Sequence, residues 1–182
     1  MTRPHAPSSG FTIIELMVTV AVVSVLLGLA VPAFTNLIRN NRMAAQANAV
    51  VGALNYARGE TATRGIPISI CAAAGSERDT CVAPAENATS WANGWITFTD
   101  RTGTLGQFDG DDEVLQTGTT PAGGFTVSSN ATFVRFGVGA TASTERTFTV
   151  IPTDTSVCIT TGRRQITVGL TGRVNSSKSS CQ

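Results

Sequence analysis

The stretch GFTIIELMVTVAVVSVLLGLAVPAF, Gly10 to Phe34, decides how the rest of the chain is read. No charged residue lies between Leu16 and Phe34. A run of that length meets the roughly 20 residues that a helix needs to cross a bilayer's hydrocarbon core. Glu15 nevertheless stands at its start. A carboxylate in hydrocarbon costs on the order of 3 kcal/mol on insertion scales, so an acid kept there is expected to have a partner and a purpose.

A secretory signal would close on a small-x-small cleavage site after the apolar run. Here a polar leader, MTRPHAPSSG, comes before it, and the helical pattern continues beyond it, so cleavage is expected ahead of the apolar run. Past Pro32 the sequence turns amphipathic. Met43, Ala47, Val50, Leu54, Ala57 and Thr61 recur at three- and four-residue steps, while Arg42, Asn48, Asn55 and Arg58 fall on other faces. Gly65 and Pro67 supply a cap and a breaker. A helix from Phe11 to Arg64 would be about 80 Å long at 1.5 Å per residue, with Pro32 bending or loosening it.

After the helix come short alternating runs rich in Thr, Val, Ile and Phe: IPISICA, GWITFTD, GFTVSS, ATFVRFGVG, RTFTVIP, SVCITT and RQITVGLT. These are strand signals. The expected fold is α+β, an antiparallel sheet laid on the polar half of a long N-terminal helix whose apolar stripe becomes core. Trp95 and Phe98 are expected in that sheet, at least one of them buried. The chain divides into a leader (residues 1–10), a membrane half of the helix (11–34), its amphipathic continuation (35–65) and a β-rich domain (66–182). A length of 182 residues, 42% of them hydrophobic, suits one membrane helix and one globular domain.

The net charge of +1 hides an uneven layout: Asp100, Asp109, Asp111, Asp112 and Glu113 crowd the middle, and nothing acidic follows Asp154. The last stretch carries Arg163, Arg164, Arg173 and Lys178. All four cysteines, Cys71, Cys81, Cys158 and Cys181, lie beyond the apolar run. Their even number points to disulfides and an oxidising compartment such as a periplasm. No CxxC occurs and the single histidine, His5, is remote, which argues against zinc. Pairing Cys71 with Cys81 and Cys158 with Cys181 closes the shortest loops.

A short basic leader, Gly10 then Phe11, an acid four residues later and a proline after the apolar run resemble the prepilin signature of type IV pilins and type II secretion pseudopilins. The resemblance implies a membrane peptidase that cuts after Gly10 and methylates the new amine on Phe11. It also supplies a partner for Glu15: the N-terminal ammonium of an adjoining subunit as helices bundle into a filament. Pairing of Glu15 with its own N-terminus, or with the positive end of its own helix, is the local alternative. Orientation also rests on the resemblance, because Arg39 and Arg42 follow the segment while Arg3 precedes it. It implies a bacterial inner-membrane anchor, a periplasmic domain and other pilins as partners.

LNYARGETATRG at the helix end, the cysteine of ISIC followed by a second cysteine and WANGWITFTD, and the terminal CITTGRRQITVGLTGRV are similar to the GspH, FimT and FimU branch of minor pseudopilins. Members of that superfamily that act in DNA uptake carry a basic GRxR motif near the C-terminus. Gly172, Arg173, Val174 and Asn175 occupy the corresponding place and lack its second arginine; Arg163 and Arg164 would have to substitute from a neighbouring turn. Four cations neutralising four phosphates would give a log-log salt slope near about −3.6. DNA binding is therefore the alternative to a structural subunit. The acids of FDGDDEVL lack the full spacing of a calcium loop and read as an acidic hairpin. With no histidine after Gly10, no GxSxG and no phosphate loop, the sequence suggests neither an enzyme nor a cofactor.

Overall fold

The computed structural model describes residues 10–83, 89–119, 124–154, 158 and 162–181. It divides after Ile38 into two compact units. A single helix, α1 (Ile13–Arg64), contributes to both.

In the first unit the helix has an N-terminal cap, Thr12. The Thr12 hydroxyl oxygen accepts the Glu15 backbone N–H at 3.3 Å, satisfying one of the free donors of the first turn. Within the apolar run the Thr19 and Ser24 hydroxyls donate to the carbonyls of Leu16 (2.8 Å) and Val20 (2.7 Å), so neither polar group is left bare. The helix runs through Pro32, and the Thr35 hydroxyl donates to the Pro32 carbonyl at 2.9 Å.

In the second unit the expected stripe is the buried face: Met43, Ala47, Val50, Leu54, Ala57 and Thr61, joined by Gln46 and Ala53. The helix stops at Gly65, whose φ of 66° only glycine adopts readily and whose N–H bonds the Thr61 carbonyl at 2.9 Å.

Among the described residues ten strands follow: β1 (Ile68–Ala72), β2 (Thr89–Ser90), β3 (Trp95–Thr99), β4 (Val114–Gly118), β5 (Phe125–Ser129), β6 (Phe133–Gly137), β7 (Thr141–Ala142), β8 (Arg146–Pro152), β9 (Arg163–Val168) and β10 (Val174–Ser179). They form two antiparallel sheets, ordered β4-β3-β1-β6-β7 and β10-β9-β8-β5-β2, where the sequence reading foresaw one. The chain passes between the sheets at several connections, one of them the short link Asn130–Thr132 between β5 and β6. There Ala131 and Thr132 are buried, the Trp91 indole N–H donates to the Ala131 carbonyl at 3.1 Å, and the Asn130 side-chain oxygen accepts the Thr147 N–H at 3.0 Å. Alternation reports which face of a strand is buried but not which neighbour it pairs with, so this corner left no mark on the periodicity. Of the expected strands, SVCITT falls largely outside the described residues.

Both sheets and the helix share one core, to which Trp91, Trp95, Phe136, Phe148, Ile166 and Leu54 contribute. On β1, Ile68, Ile70 and Ala72 face that core, while Cys71 and the following Ala73 join Ile96 and Phe98 in a second cluster on the opposite face. Strands β1 and β3 are therefore buried on both sides. The long β3–β4 hairpin loop bears on this second face: Phe108 packs against the second cluster, and Asp100, fully buried, anchors the loop's start. Its Oδ2 accepts from Ser69 Oγ (2.5 Å), Arg135 Nε (2.9 Å) and the Gly106 N–H (3.1 Å).

Candidate functional site

Each candidate residue has a definite local setting. Gly10 and Phe11 lie just ahead of the helix and both are exposed; Phe11 is 84% exposed. Glu15 is exposed in the first helical turn, three residues after the capping Thr12, the position where a carboxylate meets the positive end of the helix dipole. The apolar side chains that follow, Leu16 to Phe34, are exposed, and among them only Glu15, at the head of the run, is acidic. The helix is long and apolar enough to cross a membrane. Two chemical features thus coincide: a rod of uncovered aliphatic side chains and a single acid at its head. Of the leader, residues 1–9 lie outside the described residues.

The four cysteines are bonded Cys71 to Cys81 and Cys158 to Cys181, with Cα–Cα separations of 5.7 and 5.8 Å. The first links β1 to the loop that returns beside it, where Ala73 and Cys81 form an isolated bridge. The second ties the end of β10 to the segment preceding β9.

The basic residues are dispersed. Arg163 and Arg164 sit in strand β9, where a turn was expected, because β9 begins directly after Gly162, whose positive φ ends the preceding connection. Arg164 lies opposite Lys178 and Arg163 opposite Ser179, whose hydroxyl accepts from Arg163 Nε at 2.9 Å. Arg173 belongs to the hairpin turn at the other end, where its carbonyl accepts the Gly169 N–H at 3.0 Å. About five residues of strand separate the two ends, roughly 17 Å at 3.3–3.4 Å per residue. Arg163, Arg164 and Lys178 thus share one end of this hairpin and Arg173 stands at the other.

Gly172, the glycine of that C-terminal motif, has a packing role instead. Its φ is 72°, and a Cβ there would overlap the Ala140 carbonyl oxygen. Arg58, from the LNYARGETATRG motif, donates from Nε to the Ala140 carbonyl (3.3 Å) and from Nη2 to the Thr171 carbonyl (3.4 Å). Two of the stretches that carry the branch resemblance therefore meet, and there Arg58 fastens a turn of each sheet to the helix. Sequence reasoning placed Arg58 on a polar face and missed this; a cation on the helix amid a glycine-rich pair of hairpins was the only signal.

The acidic run occupies the β3–β4 loop as a hairpin loop. Asp109 Oδ2 accepts the Thr104 N–H (3.0 Å) and Asp112 Oδ1 the Arg101 N–H (3.3 Å), so these carboxylates hold the loop's own backbone. Among the described residues no group of three His, Cys, Asp or Glu side chains is placed to hold a metal ion.

A membrane-length apolar helix leading into a helix-on-two-sheets domain defines a subunit of the pilin class. The family described as type II transport protein GspH matches residues 46–172, and the prokaryotic N-terminal methylation motif matches residues 6–31. The chain belongs to the GspH family. Among solved structures it is similar to the type IV minor pilin FimU of Pseudomonas aeruginosa in two crystal forms. One gives a TM-score of 0.58 at 19% identity, covering 80% of this chain and 97% of FimU; the other gives 0.55 at 19%, covering 77% and 98%. That likeness shows the shared fold. No curated protein matches the chain.

Proposed function

We propose that this chain is a minor pilin-type subunit of a type II secretion pseudopilus or a type IV pilus, acting in filament assembly and protein secretion. Prepilin peptidase cuts between Gly10 and Phe11 and the new Phe11 amine is methylated. Residues 11–34 anchor the chain in the bacterial inner membrane with residues 66–182 in the periplasm, and the same apolar segment later packs among other pilins. Its role is structural rather than catalytic.

The observation that carries this reading is the uncovered apolar rod headed by one acid. Family membership and the methylation motif support the processing step. FimU, a type IV minor pilin, supports the same use of the fold. Thr12 caps the Glu15 N–H through its hydroxyl, so the backbone at the helix start has a donor satisfied without the Glu15 carboxylate. That leaves the acid available for the ammonium of a neighbouring Phe11.

Mass spectrometry of the natural product is expected to find an N-terminal methylated Phe11. An intact leader, or loss of the whole apolar run, would remove the proposal. Glu15→Ala is expected to insert in the membrane normally yet enter filaments poorly; unchanged incorporation would show that the acid has no assembly role.

A further inference from the structure

Strand β10 is the open edge of the second sheet, bonded on one side to β9. It is six residues long, and Asn175, Ser176, Ser177 and Lys178 are exposed. On its free side an edge strand of an antiparallel ladder presents the N–H and C=O groups of alternate residues, which are available to another strand. The Cys158–Cys181 bond ties down the chain just past β10, so the edge is held in place before anything pairs with it.

The side chains give this edge a chemical pattern. In the β9–β10 register Val174 lies opposite Val168, Ser176 opposite Ile166 and Lys178 opposite Arg164. Ile166 and Val168 are buried, so by the period of two these six residues share the core-facing side of the sheet. Val174 is half-buried and packs against the margin of the core. Four residues along, Lys178 and Arg164 stand as like charges directly across the ladder, an arrangement that costs stability. Among the described residues neither forms an ion pair, and Arg164 Nε is buried without a hydrogen-bond partner. No acid follows Asp154 in the sequence to relieve them.

A lysine on an edge strand deters a neutral strand and favours one that brings a carboxylate beside it. A second copy does not supply that strand. The edge strands of the two sheets, β2, β4, β7 and β10, read TS, VLQTG, TA and VNSSKS and contain no acid.

We propose that the β10 edge accepts an extended segment of a different subunit, carrying an acid opposite Lys178 and an apolar residue opposite Val174. Main-chain bonds to the open edge supply the affinity and these two side chains the selectivity. The antiparallel ladder is the more stable one and continues the pattern of the sheet, so in the incoming strand the acid precedes the apolar residue by four positions. Its carboxylate offsets the Lys178–Arg164 pair, and its apolar side chain extends the core past Val174. Because the incoming strand belongs to a different protein, the contact does not propagate through copies of this chain. The proposal rests on the subunit reading above and deepens it by stating the chemistry of a partner.

The test uses the full chain, isotope-labelled in lipid nanodiscs, with the blocked peptide Thr-Glu-Thr-Thr-Thr-Val-Thr as probe. Amide shifts are expected along β10 and β9. Binding should be about fivefold tighter than for the same peptide with Gln in place of Glu, the factor given by an exposed ion pair at the strong end of its range. Lys178→Glu should reverse the preference in favour of a Lys-bearing peptide, which also shows that the variant folds. The peptide N-methylated along its backbone, unable to complete the ladder, should not bind. In cells, a photoreactive benzophenone at the exposed Ser177 is expected to join a different filament subunit at a segment with the stated spacing. No peptide binding, shifts away from β10, indifference to the loss of the carboxylate, or an adduct with a second copy would overturn the proposal. The N-terminus is read by mass in the same cells, so a chain cut after Gly10 whose edge stays unbound counts against the edge contact and leaves the subunit reading standing.

Discussion

Gly172 shows how a residue near a basic motif can be held for packing. With φ at 72°, an L side chain costs about 1–2 kcal/mol at that backbone alone. A Cβ must also displace the Ala140 carbonyl, and with it the acceptor of Arg58. Gly172→Ala is therefore expected to destabilise the second unit by about 2 kcal/mol or more, read as a lower urea midpoint with an unchanged slope. Asp112 offers a titration test. Burial raises its carboxyl above the usual 3.8, opposed by the backbone N–H bonds from Arg101 and Asp109. A raised folded value means that, from about the ordinary value up to the raised one, the fold holds more protons than the unfolded chain. Stability contributed by this group therefore falls as pH rises through that window and is level above it. Asp112→Asn should remove that slope: the difference between variant and parent in urea-unfolding free energy should grow in the variant's favour across the window, then flatten.

The helix is one element with two fates, and substitutions should separate them. Leu54 is fully buried against both sheets, whereas Leu27, on the same helix, is 56% exposed. Leu54→Ala is expected to cost about 2–5 kcal/mol through lost burial and a cavity, while Leu27→Ala should leave the unfolding of the second unit unchanged; thermal melts of the two variants in one detergent make the comparison. The buried stripe was legible beforehand because three- and four-residue spacing is a property of a single helix. So were β1, β3, β5, β6, β8 and β9, whose alternation or dense β-branching is equally local. The edge strands β4 and β10 were not, since VLQTG and VNSSKS are half polar and acquire strand structure only from the neighbours they join. The Asp100–Arg135 pair was hidden for the same reason: in sequence Asp100 is one more acid before an acidic loop, and only the β1–β6 register brings Arg135 beside it. At the site, the rod and Glu15 were plain from composition. The dispersal of the cations was not, because it depends on which ends of a hairpin they occupy.

For the molecule as a whole, the two disulfides secure elements that the core holds to different degrees. The Cys158–Cys181 bond spans 23 residues of sequence and fastens the last strand, whose side chains are mostly exposed and which pairs on one side only. Closing a loop of that size is worth about 3 kcal/mol on the chain-entropy account. The Cys71–Cys81 bond acts elsewhere, with Cys71 fully buried in the second cluster beside Ile96 and Phe98. Replacing the C-terminal pair by Cys158→Ser with Cys181→Ser should therefore do two things. Global stability should drop by about 3 kcal/mol, and the loss should be uneven. Amide hydrogen exchange is expected to accelerate along β10, which retains only its ladder with β9, while β1 exchanges no faster than the global change allows, being paired on both sides by β3 and β6. A uniform acceleration over both strands would show instead that the bond stabilises the domain as one cooperative unit, with no separate fraying of its last hairpin.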